Sequence, residues 1–254
     1  MNTDITSTDV LIVGGGPVGL LLANLLGYRG INTIVLERRQ APPAQSMAIG
    51  VTPPSLEIMR PLGLDHELIA AGVPVRQAAV LEGRDVLGRL TFDDIPSPYR
   101  FFLSVPQSDT VAVLRRRVRE WDSVRFHENT EFIDLEQSTD SVTVNARDLT
   151  DGEVIRFRAR HVVGCDGHRS RVREAIQVAA PIHEYPQRWV MGDFTDESGL
   201  GDEARLFFTP DGSVESFPLP GRRRRWIAQL DRRKPPADPP RNSSDSSNGS
   251  LASG

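Results

Sequence analysis

The chain has 254 residues, 39% of them hydrophobic and 25% charged, which is the composition of an ordinary globular protein with room for one sizeable core or two modest ones. Its net charge of −4 supplies no global basic field for nucleic acid or an anionic membrane, and its single cysteine, Cys165, excludes an internal disulfide framework and a cysteine-rich zinc site. The longest apolar run, around residues 20–26, is too short to span a bilayer, and residues 1–9 lack the charged-then-apolar form of a signal peptide, so the expected location is the reducing cytoplasm.

Val10-Leu11-Ile12-Val13 is an apolar run that stops at a glycine, as a strand buried on both faces does. The following Gly14-Gly15-Gly16-Pro17-Val18-Gly19 opens a helix that is apolar nearly all round and closes near Gly30. Residues 32–36 read as a second strand ending at Glu37. In this spacing Gly14 permits a tight turn, Gly16 lets the backbone approach a pyrophosphate, and Gly19 lets the helix pack on the strand. The helix start offers amide groups and a partial positive charge to phosphates, and Glu37 is placed to accept hydrogen bonds from ribose hydroxyls. Strand, glycines, helix, strand and acid in register predict a dinucleotide site. FAD and NAD both fit this unit.

Further along, Pro54 opens a helix over 55–62 that ends at Gly63, and 65–71 reads as another short helix. Short strands broken by Gly83 and Gly88 follow over 80–92, then a proline-containing loop and a helix over 110–120. Four strands are expected at 124–126, 131–136, 142–147 and 154–163, with a turn at Asp151-Gly152. The last of them runs into Gly164-Cys165-Asp166-Gly167 and a helical turn or two over 170–176. Strands over 189–195, 204–209, 214–218 and 225–230 read as one antiparallel sheet. Arg222–Arg225 reads as a solvated turn, and the arginines at 115, 116, 117 and 119 as an exposed helix face, with one of them reaching a cofactor phosphate as the alternative. Residues 232–254 are rich in Pro, Ser, Asn and Gly with Leu251 their only large apolar residue, a composition that predicts disorder.

Three stretches together resemble the class A, single-component flavoprotein monooxygenases, the p-hydroxybenzoate hydroxylase-like aromatic hydroxylases. They are GGGPVGL with Glu37-Arg38, SVPQSDTVAVL with Gln107, and GCDGHRSRVR, where Asp166, Gly167, Ser170 and Arg173 fill the places of the family's DG motif. The resemblance implies an α/β fold: a Rossmann-like FAD-binding domain from 1–75 and 105–177, interleaved with a mainly antiparallel substrate-domain sheet from 76–104 and 178–231. It implies FAD as cofactor, NADPH or NADH as co-substrate, and a small aromatic substrate, phenolic or polyketide-like, that takes one atom of O2. The residues expected at the cofactor are Gly14, Gly16, Pro17, Val18, Gly19, Glu37, Arg38, Gln107, Asp166 and Gly167, with Asp166 serving both flavin and NADPH. No second GxGxxG is present, which favours this family over oxygenases with two dinucleotide domains, while Asp166-Gly167 and the lack of a catalytic His or Lys constellation favour it over a simple NAD-binding dehydrogenase.

Two departures accompany the resemblance. The family's arginine in the loop after the second strand falls on Met47, and the family's downstream Gly-Asp motif, followed by Ala-Ala-His, has no counterpart, since Gly192-Asp193 continues as Phe194-Thr195. The expectation is therefore a chain truncated relative to the family, with a non-catalytic FAD-binding fragment as the alternative to an active enzyme.

Overall fold

Strand β1 (Thr6–Val13) begins four residues before the apolar run because its polar start pairs in parallel with the far strand over 154–164, Thr6 opposite Phe157 and Thr8 opposite Ala159. The computed structural model describes residues 5–41, 48–181 and 183–230; the predicted disordered tail and Met47 lie outside them.

After β1 come α1 (Pro17–Tyr28), β2 (Thr33–Leu36), β3 (Gly50–Val51), α2 (Pro53–Met59), α3 (Asp65–Ala71) and β4 (Val73–Val75). The helix expected to run through residue 62 is α2 followed by a 3-10 turn, Arg60–Leu62, because Pro61 cannot donate to the helical ladder; Gly63, at φ +70°, ends it. Next are β5 (Gln77–Glu82), β6 (Asp85–Thr91), β7 (Phe102–Ser104) and α4 (Gln107–Val118). This last helix starts three residues earlier than expected: Pro106 fixes φ at −56° as its N-cap, and its carbonyl accepts from Asp109 and Thr110. Then follow β8 (Val124–His127), β9 (Thr130–Gln137), β10 (Val142–Asp148), β11 (Val154–Gly164), α5 (Arg171–Ala175), β12 (Arg188–Thr195), β13 (Ala204–Thr209), β14 (Gly212–Leu219) and β15 (Arg223–Leu230).

A six-stranded sheet has the order β8-β2-β1-β11-β10-β9, its first four strands mutually parallel and the β11/β10 and β10/β9 pairings antiparallel. On one face α1, α4 and the α2–α3 region bury Ile12, Leu20, Val35, Leu56, Leu103 and Leu114; on the other, Leu11, Ile34, Leu36, Phe132, Val144 and Phe157 cluster with Val172 of α5. A second six-stranded sheet, β12-β15-β14-β13-β5-β6, is antiparallel except that β13 runs parallel to β5. The four strands expected over 189–230 and the hairpin of 77–91 thus share one sheet, and the junction between them, β13 with β5, is parallel. A small antiparallel sheet, β3-β7-β4, joins the two large ones, with Ser104 Oγ donating to the Pro218 carbonyl (2.6 Å). The fold is the expected α/β architecture: a largely parallel sheet covered by helices, with a second, mainly antiparallel sheet beside it. Among the described residues no helix is long and apolar enough to cross a membrane.

The arginine run before Trp226 is a solvated turn only at its start, where Arg222 and Arg223 are exposed; its second half is buried. Arg224 is completely buried, donating to Asp196 (2.8 Å), Ser216 (3.1 Å) and the carbonyls of Glu203 and Gly201, while Arg225, also buried, forms a two-pronged pair with Asp193 (2.6 and 2.9 Å). Sequence-local charge concealed these distant partners.

Candidate cofactor-binding site

In the first sheet the strand order reverses at β1: the chain leaves it through α1 toward β2 and β8 on one side, while β11 lies on the other. A crevice opens at the strand ends of such a switch point, where ligands of open α/β sheets bind. The register sets Val13 beside both Leu36 and Gly164. The glycine turn, Glu37 and the Asp166-Gly167 turn therefore leave neighbouring strands at the same level, although nearly the whole first sheet separates them in sequence.

The four glycines of the turn have different surroundings. Gly14 takes φ +110°, and a Cβ there would lie 2.4 Å from the Cys165 carbonyl oxygen; one on Gly19 would lie 1.9 Å from the Gly14 oxygen. These two are required by contacts within the protein. Gly15, a mere spacer in the sequence pattern, is also required: a Cβ would lie 2.9 Å from Cβ of Glu37, and its amide donates to Glu37 Oε2 (2.6 Å). Three glycines in a row, more than the motif asks for, was the available signal. Gly16 alone faces open space, with no atom within 4 Å of an added Cβ. It is the N-cap of α1, Pro17 fills the first helical position, no side chain caps the helix and its first turn carries no acid. Val18, 71% exposed, stands at this opening.

Glu37 is held from both sides. Its amide donates to the His127 carbonyl (2.8 Å) and its carbonyl accepts from Thr130 (2.9 Å), while Oε1 accepts from the Arg39 amide (2.9 Å). Arg38 beside it is exposed. A cavity of about 200 Å3 adjoins the start of α1, lined by Pro17, Val18 and Leu21 on one side and by Val51, Met59 and Gln107 on others. Gln107 exchanges hydrogen bonds with Ala48: its amide donates to the Ala48 carbonyl (3.0 Å), and its Oε1 accepts from the Ala48 amide (3.2 Å).

Asp166 has a firm intramolecular role. Oδ1 accepts from Ser170 Oγ (2.5 Å), and Oδ2 from the amides of Arg171 (2.7 Å) and Val172 (3.2 Å) at the start of α5. Ser170 in turn caps α5, its Oγ accepting from the Arg173 amide (3.0 Å), and Arg173 donates to the His168 carbonyl (2.7 Å). The motif residues thus build one another, and they leave Gly167, at φ +84° with open space over it, at the exposed tip. The half-buried Cys165 thiol is pushed above its ordinary range by burial and by Asp166. Among the described residues no group of His, Cys, Asp or Glu could hold a metal ion.

The arginines at the end of α4 are in part the expected exposed face, Arg116 and Arg119 standing in solvent, but all four are paired with acids. Arg116 pairs with Glu67, Arg117 with Glu120, and Arg119 with Glu128, while the Arg115 side chain is only 12% exposed and also meets Glu128.

The sequence profile of the family described as FAD binding domain matches residues 7–248. Among curated proteins, the chain is 36% identical over 173 residues to rifampicin monooxygenase of Streptomyces venezuelae, covering 68% of this chain and 34% of that one. It is 33% identical over 223 residues to 6-methylpretetramide 4-monooxygenase of Streptomyces rimosus, covering 87% of this chain and 39% of that one. The chain thus spans between a third and two fifths of the length of these relatives. A crystal structure of p-nitrophenol 4-monooxygenase from Pseudomonas putida shares the fold, with a TM-score of 0.83 at 22% identity over 91% of this chain and 60% of that one.

Proposed function

Because the chain belongs to the FAD-binding domain family, whose relatives here are flavin-dependent aromatic monooxygenases, we propose that it holds FAD for an NAD(P)H-dependent hydroxylation of a small aromatic, phenolic or polyketide-like substrate in the cytoplasm. The observation that carries this reading is the empty space over Gly16. Three glycines of the turn are packed against protein, and the fourth is left clear beside an uncapped helix start. A diphosphate fits that cradle, its charge met by the amides of Val18 and Gly19 and by the positive end of α1.

Glu37 supports the fit. An ionised carboxylate offers about four lone-pair sites, and the bonds from Gly15 and Arg39 orient it while leaving capacity for ribose hydroxyls. Pro17, Val18 and Gln107 line the adjoining cavity, and Asp166, by capping α5, fixes the backbone of Gly167 at the other side of the crevice. Arg38, exposed beside Glu37, supplies a cation at the same end of the cofactor. In this reading 1–75 and 105–177 form the cofactor part, and 76–104 with 178–231 the substrate side. Bound FAD would supply hydride acceptance and oxygen activation; the protein binds, orients and excludes water.

Gly16→Val tests the reading. Its backbone, at φ −76°, suits any residue, so thermal unfolding is expected to stay unchanged while FAD affinity, followed by flavin fluorescence, falls at least about tenfold as the side chain enters the phosphate cradle. Equal FAD binding by the variant and the parent chain would overturn it. FAD binding without NAD(P)H-dependent oxygen consumption would favour the alternative, a non-catalytic FAD-binding chain.

A further inference from the structure

Arg115 lies on α4, one helix away from the crevice, yet its contacts lead into it. Its Nε donates to Glu128 Oε1 (2.9 Å), and its guanidinium lies over the Phe126 ring, 5.3 Å from the centroid. From this fixed position one terminal nitrogen donates to the carbonyl oxygen of Gln40 (2.6 Å). Gln40 follows Arg39, whose amide holds Glu37 Oε1, and the other oxygen of Glu37 holds the amide of Gly15 in the phosphate turn. A continuous series of hydrogen bonds therefore runs from Arg115 through the 37–40 backbone to the glycine turn. The nitrogen that reaches Gln40 also donates to Glu128, and Arg119 adds a third bond (2.5 Å), which steadies the acid against which Arg115 is braced.

We propose that Arg115 is a positioning residue for the adenosine end of the cofactor: it fixes the carboxylate of Glu37 by fastening the backbone that follows it. The proposal rests on the FAD reading given above. Arginine is suited to this work because one planar group addresses Glu128 through Nε and Gln40 through a terminal nitrogen at the same time. Lysine retains the charge but lacks the fork by which Nε and the Gln40-bound nitrogen together grip Glu128, so it cannot lock the contact to Gln40 in the same way.

The experiment is a titration of the full chain and of Arg115→Gln, Arg115→Lys and Arg116→Gln with FAD and, separately, with ADP, which carries only the adenosine end. Arg116, on the same helix and paired with the exposed-side acid Glu67, controls for loss of one positive charge. Arg115→Gln is expected to lose about tenfold in affinity for FAD and for ADP alike, the scale of one charge-assisted hydrogen bond. Arg115→Lys is expected to recover little of this, and Arg116→Gln to bind as the parent does. Undiminished ADP affinity in Arg115→Gln would overturn the proposal, as would FAD loss without ADP loss or full rescue by lysine. If the parent chain bound neither FAD nor ADP, the cofactor reading itself would have failed and this inference with it.

Discussion

At the scale of single residues, the site is made of groups whose local sequence understates their work. Asp166 looks like a turn residue with a spare carboxylate, yet both its oxygens serve the start of α5. Removing it would disturb the turn and any ligand contact together, which is why Gly16 is the sharper probe. The same mismatch between local and actual environment appears at His127. Burial, and then the charge of Arg125, depress its pKa from the ordinary 6.5, and its ring packs edge-on against Phe157. A histidine that resists protonation when folded binds protons more readily when unfolded. Stability is thus complete above about pH 6.5 and declines as the pH falls from there toward the lower folded pKa. His127→Phe keeps a ring against Phe157 and cannot titrate. Its unfolding free energy is expected to change less than that of the parent chain between about pH 7.5 and about pH 5.5, as measured by urea denaturation at each pH. An identical pH profile in the two proteins would show that His127 carries none of this dependence.

At the scale of elements, helices and strands with local punctuation were legible, and pairings across long sequence distances were not. The first strand, glycine turn and helix could be read because Gly14, Pro17 and Gly30 mark their ends; the parallel pairing of β13 with β5 has no such mark, since it joins Ala204 to Ala78. Arg115 was illegible for the same reason, its partners Gln40 and Glu128 being supplied by other elements. The packing of α1 on α4 is a further case. Asn24, in the middle of an apolar helix, is fully buried and donates to the carbonyls of Leu20 (2.9 Å) and Leu114 (3.0 Å), while Trp121 Nε1 donates to its Oδ1 (2.9 Å). Gly27 makes the approach possible, since a Cβ there would sit 2.6 Å from the Trp121 ring. Asn24→Leu preserves volume and orphans the indole N–H, so it is expected to cost about 1–3 kcal/mol in denaturant unfolding. Trp121→Phe should cost less in the Asn24→Leu background than in the parent, because there the hydrogen bond is already lost and the substitution removes the orphaned donor. Additive costs would show that the hydrogen bond contributes nothing.

At the scale of the whole molecule, the two large sheets are unequally supported. The first has a core on each face, built from Leu11, Ile12, Ile34, Val35 and their neighbours. The second contributes Ala79, Leu81, Ala204, Pro218 and Leu219 to the buried apolar residues, and its interior is polar and ionic, with Arg224, Arg225, Ser216 and Glu203 buried. Its outer strands β6 and β12 leave Val86, Leu87, Leu90, Trp189, Val190, Met191 and Phe194 exposed. It is joined to the rest along one seam, where Ser104 meets the Pro218 carbonyl and Phe102 lies 6.3 Å from Phe217, ring centre to ring centre. Little apolar burial and a narrow seam mean a low free energy of local opening. Amide hydrogen exchange is therefore expected to protect β1, β2 and β11 most strongly and to show β6 and β12 exchanging through openings that leave the first sheet intact. Equal protection across both sheets would show that the seam couples them into one cooperative unit. Independent opening suits the proposed chemistry, because a cofactor crevice that must stay rigid and a substrate side that must admit a ring then draw their stability from separate sources.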